Sequence, residues 1–364
     1  MHKRVHNFSA GPSTLPVPVL EEIQSNLLAL PGVGASVLEI SHRSKTYDDI
    51  YTEAVANLRQ LLEVPDDYHV LFLQGGATTQ FSMVPMNLMG GESNVADYIV
   101  TGVWGNKALA EARKQGAARP AWDGGAEDYT RVPIRAEMEL DPYAAYVHFT
   151  SNETIQGVEW REEPWLDQGV LVCDASSDFL SRPIDITRYG LIYAGAQKNV
   201  GPAGVTIVII RDDLLERIPA GLPVMLDYRT HVNKQSGYNT PPVFAVYVVM
   251  LVTRWLRDTI GGLKEMQHLN IKKANLLYEL IDESGGFYRG HANPSSRSLM
   301  NVTFRLANEE LEAEFLRQAL AHDLHQLKGH RSVGGLRASI YNAMTLDGVR
   351  ALRDCMREFM AVYG

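Results

Sequence analysis

Short apolar runs alternate with segments of helical periodicity through most of the first 260 residues, and this alternation limits the fold more than any other feature. Six runs have the length and composition of buried strands: residues 68–74, 96–101, 144–150, 169–174, 190–194 and 205–210. Segments with a helical pattern, such as residues 106–114, lie between them. The sequence therefore predicts an α/β fold in which helices cover a mostly parallel sheet.

The pattern changes near residue 261, after the pair Gly261 and Gly262. It then predicts a long helix, a strand over 299–305, a helix over 309–322, a strand pair around 330–341 and a closing helix. Apolar residues recur at helical spacing in the closing helix and predict a core-facing stripe: Val349, Leu352, Met356, Phe359 and Tyr363. We expect a large domain over residues 16–260 and a smaller α+β domain over residues 1–15 and 261–364.

Composition excludes several classes of protein. The 364 residues are 45% hydrophobic and 21% charged, which is typical of a soluble enzyme with two domains. A formal net charge of −9 without any basic tract argues against nucleic-acid binding. The sequence has no signal-like apolar segment and no run of about 18 apolar residues, so we expect a cytoplasmic protein without a membrane partner. Two cysteines, Cys173 and Cys355, indicate a reducing compartment, and no cluster has metal-ligand spacing, so we expect no metal.

Lys198 lies directly after a predicted strand, in a glycine-rich turn that extends to Gly204. Small neighbours would bury the ammonium group and lower its pKa, so that a neutral amine becomes available to form a Schiff base. The aldehyde that we expect is pyridoxal phosphate. Most lysines at strand ends have no such role, so the residues around Lys198 must show whether it forms a Schiff base.

A phosphate site is predicted where residues 75–79, Gly-Gly-Ala-Thr-Thr, join a strand to a helical pattern over 81–88. Small residues at a helix N-terminus leave several backbone N–H groups open to an anion. The hydroxyl groups of Thr78 and Thr79 favour phosphate binding, although a tight turn without a ligand is the alternative.

Asp174 and Trp104 are candidate partners of a pyridine ring. Asp174 ends a predicted strand 24 residues before Lys198, so both could lie on neighbouring strands at the carboxyl edge of the sheet. A carboxylate there would keep the ring nitrogen protonated. A helix cap is the alternative role, and Asp178 is the rival residue. Trp104 lies between glycines after another strand, where its indole would stack on the ring or fill the core.

Two His-Arg pairs stand far apart in this acidic sequence, His42–Arg43 and His330–Arg331, and Arg337 follows the second pair. Guanidinium groups bind carboxylate and phosphate groups in bidentate fashion. Converging on one cleft, these residues would suit a substrate that carries both anions, although single surface arginines are usually solvated.

Five segments resemble, in the same order, motifs of the phosphoserine aminotransferases, which are class V aminotransferases among the fold-type I pyridoxal-phosphate enzymes. They are NFSAGPS at 7–13, SVLEISHR at 36–43, YGLIYAGAQKNVGPAG at 189–204, NTPP at 239–242 and KGHRSVGGLRASIYNA at 328–343. The resemblance runs from end to end. It implies a large domain with a mostly parallel seven-stranded sheet, a smaller α+β C-terminal domain, and a homodimer with active sites at the subunit interface.

The resemblance also implies a role for individual residues. Lys198 would be the Schiff-base lysine, Asp174 the pyridinium partner and Trp104 the stacking ring. Further cofactor contacts would come from Gly76, Ala77, Thr78, Thr154 and Gln197, and from Asn239 and Thr240 of the neighbouring subunit. The substrate-binding positions would be Ser9, His42, Arg43, His330, Arg331 and Arg337. Arg337 would bind the α-carboxylate, and the His-Arg pairs the distal anion. In one departure, some members have an arginine in the phosphate loop, where this chain has residues 77–79, Ala-Thr-Thr.

The activity implied is the transfer of an amino group between L-glutamate and 3-phosphohydroxypyruvate, giving O-phospho-L-serine and 2-oxoglutarate in serine biosynthesis. Some members also accept the longer phosphorylated oxo-acid of pyridoxine biosynthesis. Alternatives are an alanine–glyoxylate aminotransferase, a cysteine desulfurase and a pyridoxal-phosphate-binding module without turnover. A desulfurase needs a mobile, reactive cysteine, whereas Cys173 and Cys355 are predicted to be buried. The small substrates of alanine–glyoxylate exchange would leave the His-Arg pairs without an anion.

Overall fold

The structure, a computed structural model, describes residues 4–90 and 93–364. Its strands are, in chain order, β1 (His6–Asn7), β2 (Tyr68–Leu73), β3 (Val95–Val100), β4 (Ala117–Asp123), β5 (Val147–Thr150), β6 (Asn152–Glu153), β7 (Val158–Glu159), β8 (Leu171–Asp174), β9 (Leu191–Gly195), β10 (Thr206–Arg211), β11 (Arg289–Gly290), β12 (Asn301–Arg305), β13 (Leu324–His325) and β14 (Leu336–Ser339). Its α-helices are α1 (Val17–Asn26), α2 (Lys45–Leu62), α3 (Gly76–Leu88), α4 (Val103–Ala112), α5 (Tyr228–Asn233), α6 (Val243–Trp255), α7 (Leu263–Glu283), α8 (Glu309–Ala321) and α9 (Leu346–Tyr363).

Shorter helical turns complete these elements. A π-helical turn over Leu256–Ile260 extends α6. Single 3₁₀ turns lie at Gly124–Glu127, Arg135–Glu137, Ile186–Arg188, Asp212–Arg217, Val224–Leu226 and Pro294–Ser296. No helix among residues 4–90 and 93–364 has both the length and the apolar character needed to cross a membrane.

Among the described residues, seven strands form the central sheet in the order β2-β10-β9-β8-β5-β3-β4. β10 runs antiparallel to both of its neighbours, and the pairs from β9 to β4 are parallel. The α/β fold with a mostly parallel seven-stranded sheet is therefore confirmed. All six strands predicted from apolar runs are present, with ends that differ by up to three residues.

The edge strand β4 was not predicted, because its sequence Ala-Ala-Arg-Pro-Ala-Trp-Asp has no apolar run and contains Pro120. A proline is tolerated at a sheet edge, where its missing N–H group removes no internal ladder bond. Helix α4 also begins earlier than predicted, at Val103 rather than Asn106. This shift places Trp104 inside the first turn of the helix.

The C-terminal residues form two smaller sheets, one of which also contains the N-terminal strand β1. β11, β12 and β14 make an antiparallel sheet, and β1 pairs in parallel with β13. Of the strand pair predicted around 330–341, only β14 is a full strand and it pairs with β12; the segment before the turn makes a single antiparallel bridge, between Lys328 and Leu336. Gly334 and Gly335 adopt φ angles of +70° and +67°, so the chain turns where a strand was expected.

Helix α9 carries most of its predicted stripe in the core: Val349, Leu352, Met356 and Phe359 are buried. The prediction is wrong for Tyr363, which is 40% exposed near the chain end and stacks on the ring of Phe359 at 4.5 Å. The last turn of the helix therefore extends beyond the apolar surface that the stripe covers.

Within residues 4–90 and 93–364, the buried apolar side chains fall into three clusters. Two include residues of the central sheet, with members between Val19 and Met266. The third joins Phe8 to residues between Ala274 and Phe359. This distribution supports a division close to the predicted one, although Leu263 and Met266, beyond residue 260, pack with the larger unit. The division into residues 16–260 and into residues 1–15 with 261–364 stays a prediction.

Candidate active site

Lys198 lies in the short connection between the neighbouring antiparallel strands β9 and β10. The connection is closed at its base, where the N–H group of Ala196 donates to the carbonyl oxygen of Val205 at 3.0 Å. The amine of Lys198 donates to the hydroxyl of Thr154 at 2.7 Å. Burial lowers the pKa of Lys198 to about 8, although the nearby carboxyl groups of Asp174 and Glu153 oppose the shift.

Asp174 is the last residue of β8, which pairs in parallel with β9. Its side chain is 4% exposed, and Oδ1 accepts a hydrogen bond of 3.0 Å from the N–H group of Ser176. Burial raises the pKa of Asp174, while Ser176 and the charge of Lys198 act in the opposite direction. Asp174 ends β8 and Lys198 lies three residues beyond the end of the adjacent strand β9, so the two are at the same edge of the sheet as predicted, although Lys198 lies after its strand rather than on it.

The rival candidate, Asp178, faces elsewhere. It accepts a hydrogen bond from Ser151 and lines a separate small cavity that also contains Arg182. Asp174, by contrast, lines the same cavity as Lys198. A ring held by Lys198 would therefore find the carboxylate of Asp174 rather than that of Asp178.

Helix α3 presents its N-terminus to the same cavity. Gly75 precedes the helix with a φ of +94°, and a Cβ atom there would lie 2.0 Å from Oγ1 of Thr79. The first N–H groups of the helix, from Gly76, Ala77 and Thr78, have no partner within the helix and can bind an anion. The hydroxyl of Thr79 donates to the carbonyl oxygen of Gly75 at 3.0 Å, so it stabilises the turn.

Trp104 supplies a flat aromatic wall. The amine of Lys198 lies 5.6 Å from the indole centroid, and the amine of Lys107 lies 4.4 Å from it. The cavity is lined by Gly76, Ala77, Thr78, Trp104, Thr150, Asn152, Asp174, Ser176, Ser177, Gln197 and Lys198. Seven of these residues were predicted to bind the cofactor. An eighth predicted residue, Thr154, does not line the cavity itself but accepts a hydrogen bond from the amine of Lys198, which does.

Arg337 and His330 line a cavity next to the lysine site. A guanidinium nitrogen of Arg337 donates to the carbonyl oxygen of Thr154 at 3.4 Å, so Thr154 joins Arg337 to Lys198. Burial lowers the pKa of His330, and the positive charges of Arg337, Arg331 and Lys107 lower it further. These cations surround His330 and favour an anionic ligand.

The other predicted residues do not line these two cavities in the described part of the chain. His42 and Arg43 lie in the turn before α2, and Asn239 lies before α6. Thr240 accepts a hydrogen bond from Gln74 at 3.0 Å, beside the end of β2. Ser9 lies two residues before Gly11, where a Cβ atom would approach Cγ of Lys198 to 3.3 Å.

Several polar residues at the site were missed by the sequence analysis. Thr150, Asn152, Ser176 and Ser177 line the cavity, and Glu153 is buried behind it. Asn152 and Glu153 stand beside Thr154 in the motif that predicted the cofactor contact, so proximity in sequence was an available signal. Lys107 is one helical turn after Trp104, and this spacing places both on one side of α4.

Residues 5–352 match the family described as Aminotransferase class-V. The phosphoserine aminotransferase of Desulfatibacillum aliphaticivorans is 54% identical over 359 residues, which cover 99% of each chain. The solved phosphoserine aminotransferase from Bacillus circulans subsp. alkalophilus is 48% identical, with a TM-score of 0.97 over 100% of both chains. A pyridoxal-phosphate-bound phosphoserine aminotransferase from Trichomonas vaginalis is 39% identical, with a TM-score of 0.92 over 97% of this chain and 100% of that one. The chain belongs to the class-V aminotransferase family.

Proposed function

We propose that the protein is a phosphoserine aminotransferase that uses pyridoxal phosphate. It transfers an amino group between L-glutamate and 3-phosphohydroxypyruvate, and the products are 2-oxoglutarate and O-phospho-L-serine. The reaction is a step of serine biosynthesis. Full-length identity of about half to phosphoserine aminotransferases supports the assignment. The observation that carries it is the convergence of Lys198, Asp174 and the N-terminus of α3 on one cavity.

The cavity fits pyridoxal phosphate. The open N–H groups of Gly76, Ala77 and Thr78 would hold the phosphate, and the indole of Trp104 would lie against the ring. Asp174 would hold the ring nitrogen. When bound, the cofactor supplies an aldehyde for the amine of Lys198 and a ring that accepts electrons from the α carbon of the substrate.

Lys198 is the acid–base group. Its pKa of about 8 leaves a useful fraction of the amine neutral near pH 7. We assign to Nζ the removal of the proton from the α carbon of the amino donor, and the return of a proton in the opposite half of the reaction. The hydroxyl of Thr154 orients the amine between these steps.

Asp174 balances the positive charge of the ring nitrogen. Because burial raises the pKa of Asp174, an isolated carboxylate would be costly at this position. A protonated nitrogen placed against it would offset that cost and hold the proton on the ring. This pairing accounts for a carboxyl group that is nearly excluded from water.

The cations next to this cavity select a substrate with two anionic groups. Arg337 would bind the α-carboxylate, and His330 with Arg331 would bind the phosphate of phosphoserine or the distal carboxylate of glutamate. We also propose activity towards the longer phosphorylated oxo-acid of pyridoxine biosynthesis, whose charged groups are of the same kind. The cytoplasmic location expected from the sequence stays a prediction.

We propose a homodimer with shared active sites. His42, Arg43, Asn239 and Thr240 do not line the cavity of Lys198 in the described part of one chain. A second copy would supply them, with Asn239 and Thr240 at the cofactor phosphate and His42 with Arg43 at the distal anion of the substrate. Ser9 belongs to the N-terminal segment that packs on Lys198, and we keep it as a substrate contact.

The buried state of both cysteines argues against a desulfurase. Burial raises the pKa of Cys173, which lies within β8, and raises the pKa of Cys355 to about 11. Neither thiol is therefore a ready nucleophile. An alanine–glyoxylate aminotransferase and a module without turnover are left as the alternatives to test.

The decisive assay compares L-glutamate with 3-phosphohydroxypyruvate, followed by the 2-oxoglutarate formed, and L-alanine with glyoxylate, followed by the pyruvate formed. We expect turnover with the phosphorylated acceptor, and its loss in Lys198→Ala together with the visible absorbance of the lysine-bound cofactor. The exposed Lys114→Ala variant controls for removal of a lysine. Preference for glyoxylate would overturn the substrate assignment, and activity that persists in Lys198→Ala would overturn the role of the lysine.

A further inference from the structure

Glu153 is a buried carboxyl group that the proposed reaction does not use. It ends the two-residue strand β6, has no exposed surface and points at helix α4. Oε2 accepts a hydrogen bond of 3.0 Å from the N–H group of Trp104, and Oε1 accepts one of 2.8 Å from Gly105. Both N–H groups belong to the first turn of the helix, where no intrahelical carbonyl can satisfy them.

The contact between Glu153 and α4 leaves no free space. A Cβ atom on Gly102 would lie 2.5 Å from Cδ of Glu153 and 2.7 Å from Oε1 of Gln156. Real Cβ atoms do not approach carbon or oxygen so closely, so only glycine fits at this junction. The carboxylate therefore fixes the first turn of α4 both in its position along the helix axis and in its rotation about that axis.

That turn carries the aromatic wall of the cofactor cavity. Trp104 is the second residue of α4, and the amine of Lys198 lies 5.6 Å from its ring centroid. Movement of the first turn would shift the indole with respect to the lysine. The bidentate contact of Glu153 prevents this movement, although Glu153 does not itself line the cavity.

Charge links Glu153 to the lysine as well. The pKa of Glu153 is raised to about 7, mainly by burial. Repulsion by Asp174 acts in the same direction, and attraction by Lys198 acts against it. Glu153 in turn favours the protonated amine of Lys198. The helix N-terminus adds a favourable field for the carboxylate.

We propose that Glu153 is a positioning residue, whose buried carboxylate fastens the first turn of α4 so that the indole of Trp104 stays aligned with the amine of Lys198. The effect on turnover rests on the proposed function. The effect on the backbone of α4 does not, because Glu153 contacts that helix in the chain without any ligand.

Glu153→Gln tests the proposal, because it keeps the shape of the side chain and removes one acceptor and the charge. In protein without cofactor, hydrogen exchange at the amide of Trp104 or of Gly105 should accelerate at least about tenfold, since one of the two loses its acceptor. After loading with pyridoxal phosphate, kcat should fall about tenfold while KM for glutamate changes less than about twofold. The pH midpoint of the visible absorbance should move down, because loss of a negative charge disfavours the protonated form.

Glu159→Gln is the matched control. Glu159 is equally buried, lies on the partner strand β7 and accepts a hydrogen bond from the backbone of Leu299, outside α4. This variant should leave exchange at Trp104 and Gly105, the pH midpoint and kcat near the values of the unsubstituted protein. Glu153→Asp keeps the charge but shortens the side chain, so it should restore the pH midpoint and not kcat.

Unchanged exchange at Trp104 and Gly105 in Glu153→Gln would overturn the proposal, whether or not the protein has the proposed activity. Faster exchange with unchanged kcat and pH midpoint would also overturn it, since Glu153 would then be a helix cap without effect on the lysine. If the unsubstituted protein shows no phosphoserine aminotransferase turnover, the proposed function fails, and the exchange result still decides the role of Glu153 at α4.

Discussion

The backbone N–H group of Asn342 donates a hydrogen bond of 3.0 Å to the side-chain oxygen of Asn199, the residue that follows Lys198. The side chain of Asn342 also donates to the carbonyl oxygen of Leu180 at 2.9 Å and accepts from Asn270 at 2.9 Å. These contacts join the segment after β14 to the lysine turn. Arg337 on β14 and Lys198 are thereby linked through one hydrogen-bond network.

Lys273 should stabilise this network through the backbone. Its amine is buried and donates to the carbonyl oxygens of Ile340 and Tyr341 at 2.9 and 2.7 Å. Lys273→Met would leave both carbonyls without that partner, and we expect a loss of about 3 kcal/mol in the free energy of unfolding. Urea denaturation measures it, with the exposed neighbour Lys272→Met as control. Equal stability of the two variants would contradict the prediction.

The rate of cofactor capture should follow the ionisation of Lys198. Only the neutral amine attacks an aldehyde, and a pKa of about 8 is well below the 10.5 of an ordinary lysine. The neutral fraction at pH 7 is then about 10%, roughly 300 times that of an ordinary lysine. We expect the rate at which protein without cofactor takes up pyridoxal phosphate to rise with pH and level off above about 8, as followed by stopped-flow absorbance. A rate that still rises nearly tenfold from pH 8 to pH 9 would show an unshifted lysine.

Two glycines on either side of Trp104 should respond differently to a methyl group. In Gly102→Ala the new Cβ overlaps Glu153, so we expect a loss of about 1–3 kcal/mol and weaker cofactor binding. In Gly105→Ala the nearest atom is 3.4 Å away, and alanine favours the helix by up to about 1 kcal/mol. Thermal unfolding and cofactor titration compare them. Similar destabilisation of the two variants would argue against the close contact at Gly102.

Arg331 should distinguish phosphorylated from unphosphorylated acceptors. It is exposed in the turn before β14, so its removal should cost little stability. For Arg331→Ala we expect kcat/KM with 3-phosphohydroxypyruvate to fall about 10- to 100-fold, the effect of losing a charge-assisted hydrogen bond. With hydroxypyruvate the fall should be less than about threefold. An equal fall with both acceptors would exclude a phosphate contact.

Complementation between inactive variants tests the shared site. One protein carries Asn239→Ala and Thr240→Ala, and the other carries Lys198→Ala. If Asn239 and Thr240 act on the partner's cofactor, mixed dimers contain one intact site, and a random mixture recovers about a quarter of full activity. Activity that stays at the sum of the separate variants would show that these residues act within their own chain. The result also tests the dimer itself.

The positions of Lys198 and Asp174 could be predicted because Asp174 ends an apolar strand and Lys198 follows one. In a parallel sheet the carboxyl ends of neighbouring strands meet at one edge, so strand order alone brought the two side chains together. The phosphate turn could be predicted for the same reason, since Gly75 and Gly76 separate a strand from a helix. Local pattern and topology agree at each of these positions.

Glu153 and β4 could not be predicted by pattern. Glu153 belongs to a strand pair of two residues each, which is too short to show any periodicity. β4 lies at a sheet edge, where burial imposes little apolar content. His42 and Arg43 were first singled out as a basic pair in an acidic sequence, whereas Asn239 and Thr240 were assigned by resemblance alone, because no local pattern marks them.

The closed connection between β9 and β10 has a mechanical consequence. Both of its ends are held in the sheet by direct pairing, so the main chain that carries Lys198 is anchored on both sides. In the proposed reaction, the amine of Lys198 would then carry the proton by rotation about the bonds of its own side chain. The four methylene groups of that side chain would set how far the amine can carry a proton, while the backbone around it keeps its position.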